Sequence, residues 1–171
     1  MTLVIVADIR KAGPDDAAAL LGLLHKLDAQ SVYMMMEPGE REAAPDRLRD
    51  RLAAQDAAGS FDLVAEETGR LAGWLSAEVL PFRRARRTGY LVLGVDADFA
   101  GRGIGAALLA TAADEAQLRG LWRLELTVMA DNLRALALYA RSGFQVEGLR
   151  RRALIREGAQ VDEYYMGRLL P

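Results

Sequence analysis

The spacing of apolar and polar residues divides the chain into strands and helices. Residues 3 to 10 lead into the alternating "VADIRKA" and read as a half-buried first strand. In "GPDDAAALLGLLHKLDAQ" the period changes. Leu20, Leu24 and Leu27 recur at helical spacing, and Pro14 with Asp15 and Asp16 suits a helix N-terminus. Pro38 and Gly39 in "SVYMMMEPGE" force a turn. A second helix is predicted over about residues 45 to 57, opening at Pro45-Asp46 and stopping before Gly59. From Ser60 the pattern becomes strand-like. "SFDLVAEE", "RLAGWLSAEVL" and "TGYLVLGVDA" read as three strands, the first two joined by a tight turn at Thr68-Gly69 and the next pair by "PFRRARR". A glycine-rich segment then opens a helix reaching about Arg119, followed by the strand "WRLELTVM" and a short helix over about 133 to 142. Two final strands, about 144 to 154 and 160 to 169, are joined by "REGA". The order is βαα-βββ-αβαββ, an α+β plan with a mixed sheet of about seven strands and about four helices. No linker or repeat interrupts it, so residues 1–171 read as a single domain.

Composition narrows the chemistry more than it narrows the fold. The net charge of -2 offers none of the basic excess that nucleic-acid binding requires. No apolar stretch is long enough to cross a bilayer, and "MTLVIVADIRKAG" lacks the basic start of a signal peptide, so a cytoplasmic protein is expected. Without a single cysteine, a disulfide framework, a cysteine–zinc site and a Cys nucleophile are all excluded. His25 is the lone histidine and reads as a helix-surface residue beside Lys26. No metal site is expected.

The densest signal is "DADFAGRGIGAALLA", with Gly101, Gly103 and Gly105 at alternate positions before a helical run. The pattern satisfies the dinucleotide fingerprint G-x-G-x-x-G/A, and Glu125 stands about 20 residues further on, where a ribose-binding acid belongs. That fingerprint, however, needs its first glycine at the end of a strand and a series of βα units after it. Here "DADFA" intervenes, and only one such unit follows. A Walker loop fails for want of Gly-Lys-Ser/Thr. Two readings remain: backbone amides at a helix start cradling a phosphate, with Arg102 adding charge, or a glycine turn needed for helix–sheet packing.

A second constellation lies in "LELTVMADNLRALALYARSGFQVEG". Asp131 or Asn132 caps a helix there, and Gly143 ends it. Asn132 and Tyr139 are seven residues apart, about two turns, and so share one side. With these residues the chain resembles the GNAT superfamily of N-acetyltransferases, which move an acetyl group from acetyl-coenzyme A to an amine. The family's pyrophosphate signature, Gln/Arg-x-x-Gly-x-Gly/Ala, falls on residues 100–105, with Ala100 in place of Gln or Arg. Its later segment, Asn-x-x-Ala-x-x-Leu-Tyr-x-x-x-Gly-Phe, matches at Asn132, Ala135, Leu138, Tyr139, Gly143 and Phe144. The order of strands and helices matches across nearly the whole chain.

The resemblance implies a GNAT-like sheet and a set of roles. Leu93, Gly94 and Val95 pair by backbone with the pantetheine arm of acetyl-CoA, beside a splayed neighbouring strand. Around Ala100, the amides of Gly101, Arg102, Gly103, Ile104, Gly105 and Ala106 hold the pyrophosphate. Asn132 bonds the pantetheine, Ala135 and Tyr139 line the cofactor, and Arg141 reaches toward the adenosine. Direct attack in a ternary complex is implied, with the Val95 N–H as oxyanion donor and Tyr139 as general acid toward sulfur. Packing against the sheet is the other reading of Tyr139. A lysine-like amine is only about one part in a thousand neutral near pH 7, so a base is required. Glu125, Glu78, Glu37 and a water relay are the candidates, although a paired structural carboxylate is the simpler reading of Glu125. "SVYMMMEPGE" and the final hairpin, including Tyr164 or Tyr165, wall the amine acceptor's pocket. The arginine runs 83–87 and 150–152 are solvated faces or attract acidic acceptors. A homodimer is compatible with this picture, and a non-catalytic acyl-CoA sensor on the same fold is the competing function.

Overall fold

The computed structural model describes residues 7–171. The strands are β1 (Asp8–Lys11), β2 (Phe61–Glu67), β3 (Arg70–Val79), β4 (Thr88–Val95), β5 (Arg123–Met129), β6 (Gln145–Arg156) and β7 (Ala159–Leu169). The helices are α1 (Ala17–Gln30), α2 (Pro45–Ala54), α3 (Ile104–Leu118) and α4 (Leu133–Arg141). Among the described residues the first strand spans Asp8–Lys11, one residue past its expected end, and residues 3 to 6 of that expectation lie outside the described residues. The second helix ends at Ala54 and continues as a tighter turn through Ala58. Thr68 and Gly69 both have positive φ, 53° and 76°, the geometry whose twist suits a two-residue hairpin.

One seven-stranded sheet results, in the order β1-β2-β3-β4-β5-β7-β6. Every neighbouring pair is antiparallel except β4 and β5, which α3 connects as a parallel crossover. One sheet face packs on α3 and α4, through Leu63, Leu75, Leu91, Leu124, Leu126 and Met166 against Leu108, Leu109 and Ala112. The other carries Val64 and Trp74 against Leu20, Leu24 and Leu27 of α1 and Leu52 of α2. Among the described residues no helix is long and apolar enough to cross a membrane.

The feature that positions everything below is the parallel pair. β4 is matched with β3 along its length up to Val95. With β5 it is matched only from Thr88 to Tyr90, opposite Arg123 to Glu125. Beyond Tyr90 the two strands part, and one edge of β4 loses its partner.

Candidate active site

Strand parity decides which backbone groups face the gap. The Asp96 N–H donates to the Ala72 carbonyl at 2.9 Å, so alternate residues back along β4 turn their N–H and C=O toward β3. Gly94 is one of these. Leu93 and Val95, of the opposite parity, address the open edge. This corrects the expectation that Gly94 shares the backbone pairing of its neighbours. Glycine is needed there for packing: a Cβ on Gly94 would lie 2.5 Å from Leu27 Cδ1, where α1 crosses β4. The end of the strand is pinned by Asp96, whose carboxylate accepts from Lys26 Nζ at 2.6 Å, Gln30 Nε2 at 3.1 Å and the Asp98 amide at 3.1 Å. Burial alone would raise this carboxyl, but the Lys26 ammonium and the two other donors hold it below the ordinary range.

A cavity of about 960 Å³ occupies the gap. On the α3–α4 side its wall is the glycine segment. Gly101 and Gly103 both take φ of +79°, left-handed backbone that favours glycine, and Gly103 caps α3. The first amide of the helix to find a partner is that of Ala107, on the Gly103 carbonyl. The N–H groups of Ile104, Gly105 and Ala106 are therefore left without one, beside the cavity that these residues and Ala100 line. Gly105 also serves packing, since a Cβ there would come within 3.0 Å of Leu138. Arg102 does not line the cavity. Its guanidinium bonds the buried Glu67 carboxylate and the Asp98 carbonyl and lies 5.1 Å over the Phe99 ring, which corrects the expectation of a charge free for phosphate.

Residues of α4 complete that side. Asn132 rather than Asp131 caps the helix: its Oδ1 accepts from the Ala135 amide at 3.2 Å, leaving the Asn132 side-chain NH2 as the available donor. Asp131 instead holds Arg156. Tyr139 is buried, its ring 6.0 Å from Phe144 in an edge-on arrangement, and its hydroxyl bonds no other described side chain. Burial, reinforced by nearby Tyr90, pushes the phenol up to about 12, so it stays protonated at neutral pH. Ala135, Arg134 and Arg141 line the same wall.

The α1 side is made of side chains. Tyr90 and Thr127 share a hydrogen bond of 2.8 Å between their hydroxyls. Tyr33, Met34 and Met35, from the connection after α1, line the cavity, and the Arg156 guanidinium lies 5.4 Å over the Tyr33 ring. Glu125 does not line it. Its carboxylate accepts from Arg123 Nε at 2.8 Å and from the Tyr165 hydroxyl at 3.1 Å, as a paired structural carboxylate does. Glu78 and Glu37 are exposed and likewise stand outside the lining. Tyr164, not Tyr165, packs against the α3–α4 core. The 83–87 arginines precede β4, at the opposite end from Val95, and so lie away from the gap. Sequence reading missed Glu163, a buried carboxylate that does line the cavity. Its only local signal was alternation along β7.

The splay, the open edge and the unpaired amides together form a path for an extended ligand ending in phosphate. Residues 27–144, more than half of the chain, match the family described as Acetyltransferase (GNAT) family. The chain belongs to the GNAT acetyltransferase family. As a GNAT enzyme it is an acetyl-CoA-dependent acyltransferase, and the backbone donor set described above fits that cosubstrate. The acetyltransferase of GNAT family from Streptococcus pneumoniae superposes with a TM-score of 0.92 at 28% identity, covering 96% of this chain and 99% of that one. This GNAT chain is 33% identical over 125 residues to the L-amino acid N-acetyltransferase AaaT of Escherichia coli (strain K12), covering 71% of this chain and 74% of that protein. It is 46% identical over 85 residues to the mycothiol acetyltransferase of Clavibacter michiganensis subsp. michiganensis, covering 48% of this chain but only 26% of that enzyme.

Proposed function

We propose that residues 1–171 act as one domain that acetylates the primary amine of a small acceptor by direct attack in a ternary complex, with α-amino acids the first class to test. The observation that supports this reading is the gap beyond Tyr90, which opens to both faces of the sheet. The unbonded edge of β4 serves one molecule and a wall of side chains serves the other. The likeness to an L-amino acid N-acetyltransferase favours the acceptor class.

Acetyl-CoA supplies an activated acetyl group. The amides of Ile104, Gly105 and Ala106 take the pyrophosphate, aided by the positive end of α3. Leu93 and Val95 bond the pantetheine arm as an added strand would, with Asn132 donating from across the gap. The Val95 N–H donates to the acetyl oxygen as charge develops on it. Tyr139, held protonated, donates to the departing sulfur. A thiol titrates near 8.5, so this phenol stabilises the thiolate by hydrogen bonding more readily than by giving up its proton. Glu125 is unsuited to act as the base because Arg123 and Tyr165 already occupy its oxygens outside the cavity.

Two measurements test the reading. In a thermal-shift assay, acetyl-CoA at about 100 times its dissociation constant stabilises the fold by roughly 2.7 kcal/mol, while NAD does not. A panel of α-amino acids, polyamines, aminoglycosides and peptides with free N-termini is then followed by release of free CoA. Binding of acetyl-CoA without release for any amine would replace the enzyme with a sensor.

A further inference from the structure

Of the two carboxylates that line the cavity, Asp131 is gripped through both oxygens by Arg156. Glu163 is not so satisfied. Its side chain is 4% exposed, and Oε2 accepts from Arg150 Nη1 at 2.7 Å. Oε1 accepts no hydrogen bond from the described residues, yet it is not sealed off as a buried orphan. Arg150 is itself 51% exposed and needs no buried partner. A buried carboxylate left with one half-solvated partner is costly unless something else completes it.

Position says what that is. Tyr90 and Glu125 form the last matched pair of β4 and β5, and four residues beyond them stand Gly94 and Met129. Met129 is matched with Glu163 on β7. Glu163 therefore stands level with the end of β4, two places along β7 from Tyr165 and on the sheet face that Gly94 presents to Leu27. The cavity it lines is also bordered by Tyr33, Met34 and Met35, and the Arg156 guanidinium over the Tyr33 ring is neutralised by Asp131.

We infer that Glu163 receives the acceptor's ammonium group, Oε1 accepting its N–H and orienting the nitrogen toward the end of β4. The ammonium gives one proton to water in the cavity, and the neutral amine, still donating an N–H to Oε1, attacks the acetyl carbon as the thiolate leaves. This rests on the amine-acetylation reading above. The acceptor class is a primary ammonium on a compact, largely apolar body. Arg150, on the other oxygen, offsets part of the Glu163 charge that attracts the ammonium, which gives the two residues opposite effects.

The test uses CoA release at saturating acetyl-CoA, with α-amino acids, their amides and alkylamines as acceptors. Glu163→Gln raises the acceptor KM by roughly tenfold to a hundredfold and moves the acetyl-CoA KM less than about twofold. Arg150→Gln lowers the acceptor KM by roughly threefold to tenfold, as expected when a neighbouring cation that offsets the carboxylate's charge is removed. A merely structural ion pair would make both variants worse together. An unchanged acceptor KM in Glu163→Gln overturns the inference and leaves acetyl transfer standing. Should that variant not fold, Arg150→Gln carries the test, and an unchanged or raised acceptor KM overturns it. Wild-type protein that releases no CoA with any amine overturns the acetyl-transfer reading and this inference with it.

Discussion

The two sides of the gap between β4 and β5 are made of different material. Toward α3 and α4 the groups on offer are mostly main-chain, the free edge at Leu93 and Val95 and the unpaired amides behind Gly103, joined by the side chains of Asn132 and Tyr139 on one helix. Toward α1 they are side chains from separate stretches of sequence, including Tyr33, Met34, Thr127 and Glu163. A main-chain donor is fixed once its turn forms and does not depend on which side chains surround it. A wall of side chains changes with each substitution. The first arrangement suits a molecule whose structure never varies, and the second suits one that differs from relative to relative.

Substitutions that disturb one side and spare the other test this contrast. The largest effect is expected at Tyr139, where the α4 wall meets the chemistry. Tyr139→Phe lowers turnover by about 10²-fold with little change in the acetyl-CoA KM, checked by steady-state kinetics. Because burial lifts the phenol to about 12, its protonated form persists well above neutral pH, so no basic limb below about pH 11 belongs to Tyr139. A limb near pH 9 that vanishes in the Phe variant would contradict this assignment. A smaller effect is expected at Gly103. Nothing lies within 4 Å of a Cβ built there, so Gly103→Ala acts through left-handed strain alone, about 1–2 kcal/mol. Isothermal titration should show acetyl-CoA binding weakened by about tenfold, with the acceptor KM unmoved. A change confined to the acceptor would break the division between the two sides. The smallest is Asn132→Ala, which removes the cap of α4 and costs about 1 kcal/mol of stability in urea denaturation.

How much of this the sequence disclosed follows from the same division. Gly101, Gly103 and the Asn132 cap are local devices, set by residues within a turn of one another, and the glycine spacing and the helix start announce them. The hairpin at Thr68-Gly69 is equally local. Glu163 was hidden because its position depends on β7 inserting between β5 and β6, a pairing that nothing near residue 163 encodes. The engagement of Arg102 with Glu67, 35 positions away, was invisible for the same reason. Gly94 shows a subtler limit. The strand was evident, but which of its amides face outward depends on the register with β3, fixed by contacts such as Asp96 with Ala72.

The outermost strand beyond β7 carries a consequence of another kind. β6 is twelve residues long, exposed along most of its length, and among the described residues has no neighbour on its far side. Such an edge is a template on which another chain can polymerise. Here the register with β7 breaks between Arg150 and Leu154, and Arg152 turns to a φ of +52°. The arginines at 150–152 are thus placed on a kinked stretch of strand, where both their charge and the bend oppose a flat incoming backbone. A run that reads in sequence as a solvated face or an attractor of acidic acceptors stands in the fold on a bent strand edge, the combination that disfavours edge-to-edge pairing.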